Sequence, residues 1–175
     1  MSLGYGCQFQ GVILMRKYNI LIVDNSEEAS KITITLRSAP YYHNVRLVNK
    51  LSDAEALALG DVEGDPFFPY DFLFLDLTLD RQYLPKEVQE YAMKTISGWA
   101  FYEKILKDGN PGLYMRTIFY TAYLVTLRGI LDEMGEGEIF NNLNTLSKTA
   151  TDMVQEAVSS MNRMYADKSL WSDRI

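Results

Sequence analysis

Two apolar runs in this chain each stop on a carboxylate: Tyr18-Asn19-Ile20-Leu21-Ile22-Val23-Asp24-Asn25 and Tyr70-Asp71-Phe72-Leu73-Phe74-Leu75-Asp76. A run that is apolar along its whole length, without alternation, reads as a strand buried on both faces, the hallmark of a parallel sheet. In open α/β sheets, ligands sit outside the carboxyl ends of the strands. Asp24 and Asp76 at two such ends can converge on one crevice, the geometry of a cation or phosphoryl site.

Helical segments fall between the runs. Ser26-Glu27-Glu28 opens a helix to about Ser38, with Asn25 or Ser26 as cap and the glutamates at its positive end. Ala39-Pro40 ends it. Val45-Arg46-Leu47-Val48 reads as strand two. Ser52-x-x-Glu55 has capping-box spacing for a helix through Leu59, closed by Gly60. Asp61 to Pro69 is turn-rich, and strand three is Asp71 to Leu75. Leu77 to Ser97 is irregular, with a short helix from Lys86 to Thr95. Gly98 to Leu106 reads as helix three, closed by Asp108-Gly109-Asn110-Pro111-Gly112. Strand four is Arg116 to Tyr120, ending on Thr121. A helix spans Val125 to Met134, Glu138-Ile139-Phe140 opens a fifth strand, and a last helix carries Met153, Val154, Ala157, Val158 and Met161 on one face. This β-α alternation predicts an α/β fold: a doubly wound five-stranded parallel sheet with right-handed crossovers.

With 175 residues, 47% hydrophobic and 13% aromatic, the chain suits one globular domain rather than a disordered one. The expected division is an N-terminal extension over 1–17, a domain over 18–165 and a tail over 166–175. Met15-Arg16-Lys17 could be an alternative start. The net charge of −6 and the lack of a basic stripe disfavour nucleic-acid binding. No apolar run approaches the roughly 20 residues that span a bilayer. A single cysteine, Cys7, fits a reducing, cytoplasmic setting. One cysteine and one histidine make a His/Cys zinc site improbable. His43, in Tyr41-Tyr42-His43-Asn44, reads as a surface loop residue, and Trp99, Phe101 and Tyr102 as core.

The strand ends carry chemistry. Carboxylate and amide oxygens at Asp24, Asn25 and Asp76 suit Mg²⁺. A carboxylate can also attack phosphorus to form an aspartyl-phosphate, and Thr121 offers a hydroxyl to the transferred group. Taken with Gly98 before its helix and Thr117-Ile118-Phe119-Tyr120-Thr121-Ala122-Tyr123, these runs resemble the receiver domain of two-component response regulators over Tyr18 to Met164. The resemblance implies the flavodoxin-like receiver fold with strand order 2-1-3-4-5. It implies a stand-alone, non-enzymatic phosphoacceptor. Asp76 would take a phosphoryl group from a sensor histidine kinase or phosphotransfer protein. Asp24, Asn25 and Asp76 would hold Mg²⁺, Thr121 would contact the phosphoryl group, and a downstream protein partner would read the signal.

Four departures bear on this. Asn25 stands where the family usually has a second acid, which weakens Mg²⁺ binding. Gly98 follows Asp76 by 22 residues (98 − 76), a longer interval than usual, and Leu77-Thr78-Leu79-Asp80 replaces the usual Met-Pro. The family's lysine precedes a cis proline, whereas Lys148 precedes Thr149. An ungapped register puts Leu143 at the lysine position, so Lys148 takes that role only through an insertion of about five residues. These departures leave open a pseudo-receiver that binds proteins without phosphorylation. A phosphohydrolase of the haloacid-dehalogenase kind needs a second acid two residues after its nucleophile, and Thr78 stands there.

Overall fold

The computed structural model describes residues 16–80 and 84–174. The parts of the expected extension before Arg16, including Cys7 and the Val12–Met15 run, lie outside the described residues. Five parallel strands form one sheet: β1 (Asn19–Val23), β2 (Asn44–Val48), β3 (Phe72–Leu75), β4 (Thr117–Thr121) and β5 (Asn144–Ser147). Their spatial order is β2-β1-β3-β4-β5, as expected. Side chains alternate across this sheet. Leu21, Val23, Leu73, Leu75 and Phe119 enter one core layer, while Ile20, Ile22, Phe72, Phe74, Ile118 and Tyr120 enter the other. Both faces are covered, which explains the unbroken apolar runs.

Helix α1 (Glu27–Arg37) packs on the second layer together with α9 (Met153–Ala166). Ser26 is the α1 cap, its hydroxyl accepting from Ala29 N–H at 3.2 Å. The first layer takes α2 (Leu51–Leu59), α4 (Ser97–Phe101), α6 (Pro111–Met115) and α7 (Leu124–Glu133). Between β3 and α4 lies α3 (Lys86–Lys94). Helix α4 runs on through a π-helical turn (Tyr102–Leu106) into α5 (Lys107–Gly109). Residues 97 to 102 are all buried, so this helix is enclosed on every side. Trp99, Phe101 and Tyr102 are core, as expected.

Several local expectations need correction. Helix three closes inside the expected 108–112 segment, at Gly109, but a further short helix starts there at once: the Asn110 side chain caps α6 by accepting from Leu113 N–H at 2.9 Å. The capping box at Ser52 does not form. Helix α2 starts two residues earlier, with Lys50 at the cap position and no side-chain cap bond, because Leu51 must be inside to bury its side chain. Glu138-Ile139-Phe140 belongs to a short helix, α8 (Gly137–Phe140), and the fifth strand comes later, at Asn144. The apolar pair Ile139-Phe140 is a weak strand signal beside helix-permissive glutamates. The tail packs locally: a 3-10 segment (Lys168–Arg174) buries Trp171, whose Nε1–H donates to Met164 O at 3.1 Å. The Arg116 guanidinium lies 4.5 Å from the Trp171 ring centroid. Among the described residues, no helix is long and apolar enough to cross a membrane.

His43 is buried, not a surface loop residue. Its Nδ1 accepts from Tyr18 N–H at 3.4 Å, and its ring lies 5.3 Å from that of Tyr18. Its own backbone N–H donates to Leu36 O. Of the aromatic neighbours that suggest an exposed turn, Tyr41 lies 6.2 Å from the His43 ring, while Tyr42 stays exposed. Burial lowers the His43 pKa, partly offset by Asp71 and reinforced by Lys17. The unfolded chain therefore takes up the proton first. Stability is fully present above the ordinary histidine pKa of about 6.5 and is lost as pH falls from there through the depressed folded value. Melting midpoints at about pH 7.5 and about pH 5.5 test this: the wild type should lose more on acidification than His43→Gln. Equal losses would contradict it.

Candidate functional site

The carboxyl ends of β1, β3, β4 and β5 form one rim, and each site residue is placed there by one more rung of the sheet ladder. Asp24 N–H donates to Val48 O (2.9 Å), Asp76 N–H to Val23 O (3.0 Å) and Lys148 N–H to Thr121 O (3.3 Å). The backbone at each position is thus set by parallel-sheet geometry. The strands of Asp24 and Asp76 are neighbours, in register from Ile20↔Phe72 to Val23↔Leu75.

Three of the expected residues meet directly. Lys148 Nζ is 2.7 Å from Asp24 Oδ2 and 3.2 Å from Asp76 Oδ2. The side chains of Asp24 and Asp76 are 0% and 3% exposed, and that of Lys148 is 11% exposed. Burying two carboxylates side by side is costly unless a cation and hydrogen bonds compensate them. The other oxygens are served accordingly. Asp24 Oδ1 accepts from Ser26 N–H at 2.7 Å, which joins it to the start of α1. Asp76 Oδ1 accepts from Leu77 N–H at 2.8 Å, and Oδ2 from the Thr78 hydroxyl at 3.1 Å. One ammonium against two carboxylates leaves a single net negative charge. Asp24 thus closes the turn into α1 with one oxygen and faces Lys148 with the other.

Lys148, not Leu143, reaches the rim. Leu143 precedes β5 and packs against the first core layer. Lys148 follows β5 immediately, because the strand starts later than expected. Its Nζ also lies 5.4 Å from the Tyr120 ring centroid. Burial, reinforced by Asp24, Glu28 and Asp76, raises the Tyr120 pKa, so this ring stays neutral beside the ammonium.

Thr121 is fully buried at the end of β4. Its hydroxyl accepts from Tyr123 N–H at 3.1 Å and so closes the turn into α7. It shares the rim with Asp76, and among the described residues no hydrogen bond joins the two. Asn25 is exposed and lines a cleft of about 340 Å³ with Asp24, Ser30, Asn49 and Asp53. This cleft opens between the ends of β1 and β2.

The segment after Asp76 folds back on the rim. Ser97 Oγ accepts from Leu79 N–H at 2.9 Å and donates to Leu79 O at 2.5 Å. Gly98 N–H donates to Leu77 O at 2.9 Å. A Cβ on Gly98 would collide with the Asp76 carbonyl oxygen and come within 2.8 Å of Leu77 Cα. Glycine is therefore needed for α4 to approach the β3 end this closely. A second cleft, about 400 Å³, lies between Thr78–Asp80 and Thr95–Ser97. Sequence reasoning misses Thr78 and Ser97. Thr78's place two residues after Asp76 is the one available signal; Ser97 acts across a 20-residue separation from Leu77 and leaves none.

Asp24, Asp76 and the Asn25 amide carry hard oxygens of the kind Mg²⁺ takes, and Mg²⁺ commonly completes partial sets with water. Among the described residues no group of three His, Cys, Asp or Glu side chains gathers in metal-binding array. The Lys148 ammonium already faces both carboxylates, so a cation would share them with it.

No protein-family model and no curated protein matches the sequence. Solved structures match in fold. One is the phosphorylated cyanobacterial phytochrome response regulator RcpA, with a TM-score of 0.51 and 15% identity over 91% of this chain and 98% of that one. Another is NtrX from Brucella abortus, with a TM-score of 0.56 and 16% identity over 91% of this chain and 30% of that one. The chain has the flavodoxin-like fold of response-regulator receiver domains.

Two substitutions probe the site's architecture. Lys148→Met should destabilise the fold by about 3–5 kcal/mol, because it strands two buried carboxylates. Gly98→Ala should cost about 1–3 kcal/mol through overpacking against the β3 end. Denaturant unfolding measures both, and a change under about 0.5 kcal/mol in either would contradict the packing described.

Proposed function

We propose that this receiver fold serves as a phosphoacceptor switch, with Asp76 as the nucleophile. The observation that carries the reading is the Lys148 ammonium held between two buried strand-end carboxylates. An Asp76 carboxylate oxygen attacks the phosphorus of a donor. The new O–P bond forms as the bond to the donor's leaving group breaks, and that group departs with the electron pair. Catalysis of such a transfer is mostly positioning and charge neutralisation. Lys148 supplies a fixed positive charge beside the acceptor oxygen, and the Thr121 hydroxyl is one strand away. Asp24, Asn25 and Asp76 would hold Mg²⁺, which when bound neutralises charge on the phosphoryl oxygens.

The donor would be a sensor histidine kinase or a phosphotransfer protein, and a downstream protein would read the result. Phosphorylation replaces the single charge of the Asp76 carboxylate by an acyl phosphate of roughly −1.5 to −2 charges, on a rim where the Lys148 ammonium is already shared. Lys148 would be drawn toward the new oxygens, and its bond from Lys148 N–H to Thr121 O ties that shift to β4. The response is a change in population between two arrangements of the β4–β5 rim.

A second reading is a pseudo-receiver that binds proteins without the switch. Two observations favour it: Asn25 in place of an acid, and internal partners already on the Asp24 and Asp76 carboxylate oxygens. Mg²⁺ titration followed by calorimetry separates the two. Binding at about millimolar Mg²⁺ supports the switch, and its absence supports the pseudo-receiver.

Acetyl phosphate with Mg²⁺ tests the leading reading directly. Intact-mass measurement should find one phosphoryl adduct on the wild type and none on Asp76→Asn. An unmodified wild type would sink it.

A further inference from the structure

Lys148 occupies the second position of a tight turn, and two hydroxyls brace that turn. Ala150 N–H donates to Ser147 O at 3.2 Å, which closes the turn over four residues. Within it, Thr149 N–H donates to Ser147 Oγ at 3.2 Å, and the Ser147 and Thr149 hydroxyls lie 2.8 Å apart. A serine hydroxyl accepting from the N–H two residues on imitates a backbone turn. On the strand side, Ser147 pairs with Thr121, and Lys148 N–H donates to Thr121 O. The lysine backbone is thereby held from both directions, while its side chain crosses the rim to Asp24 and Asp76.

The bracing bonds sit on the outer side of the chain. Thr149 is exposed and Ser147 half-buried. Hydrogen bonds in that setting add little to global stability, because water replaces them readily. Their consequence is local: they fix the direction in which Lys148 leaves the strand. Among the described residues the groups facing the ammonium are Asp24, Asp76 and the Tyr120 ring, and neither hydroxyl is among them.

We propose that Ser147 and Thr149 are positioning residues whose paired hydroxyls aim Lys148 at the two carboxylates. They do by hydrogen bonding what a proline after the lysine would do by ring constraint. The consequence for phosphoryl transfer rests on the function proposed above; the consequence for lysine placement does not.

The test uses the full ¹⁵N-labelled chain, wild type and the variants Ser147→Ala, Thr149→Ala and Thr149→Ser. Two quantities are read: the Lys148 ammonium resonance, assigned by its loss in Lys148→Met, and the rate of Asp76 phosphorylation by acetyl phosphate with Mg²⁺. In the wild type the ammonium, 11% exposed, should give a resonance distinct from those of exposed lysines. Ser147→Ala and Thr149→Ala should move it toward the exposed-lysine position and slow phosphorylation about tenfold, a fraction of what a 1 Å misplacement can cost. Thr149→Ser keeps the hydroxyl and should restore both. Melting midpoints identify any variant that fails to fold, and the comparison of Thr149→Ser with Thr149→Ala then decides. A wild-type ammonium signal in Ser147→Ala, or Thr149→Ser behaving as Thr149→Ala does, would overturn the proposal. If the wild type takes up no phosphoryl group, the functional reading fails and the ammonium resonance alone judges the positioning.

Discussion

One ammonium between two buried carboxylates is the constraint on which this rim depends. Asp24 and Asp76 lie at the ends of adjacent strands, where sheet geometry forces them together. Their mutual repulsion in a largely dry setting has to be met by something positive. Lys148 meets it, and does so from a third strand, two positions across the sheet from β3. The same charge that makes the fold tolerable is then in place beside a carboxylate oxygen. Structure and candidate chemistry share a single group.

The surrounding elements keep that group aimed. Ser26 N–H holds Asp24 from the α1 side, Leu77 N–H and Thr78 hold Asp76, and the turn after β5 holds Lys148. Gly98 lets α4 press against the Asp76 carbonyl, which fixes the level of the loop below the carboxylate. Each contact is ordinary in strength. Together they leave the side chains few other places to go, and preorganisation of this kind is what phosphoryl transfer asks of a protein.

How much of this can be read from residues alone follows from the range of each interaction. Strands β1, β3 and β4 are legible because burial on both faces demands an unbroken apolar run. Asp24, Asp76 and Thr121 are legible as rim residues because they end those runs. The edge strand β5, Asn-Thr-Leu-Ser, buries little and carries no such run; nothing local marks its position, and the register of Lys148 is hidden with it. His43 reads as exposed because a short polar-aromatic stretch is ambiguous until Tyr18 is seen to cover it. The capping box at Ser52 yields to the burial of Leu51, a case of packing overriding a local signal. The Ser97 hydroxyl on the loop after Asp76 cannot be foreseen, since its partners lie far away in the chain.

The most direct test of the central claim is a double-mutant cycle on Asp24 and Lys148, built from the unfolding free energies of Asp24→Asn, Lys148→Met and the pair. Mutual dependence of the two charges predicts a coupling of about 1–3 kcal/mol, with the double variant far less damaged than the two single losses would add up to. Additivity within about 0.5 kcal/mol would show that the two side chains do not depend on each other, and would contradict the role given to the ammonium.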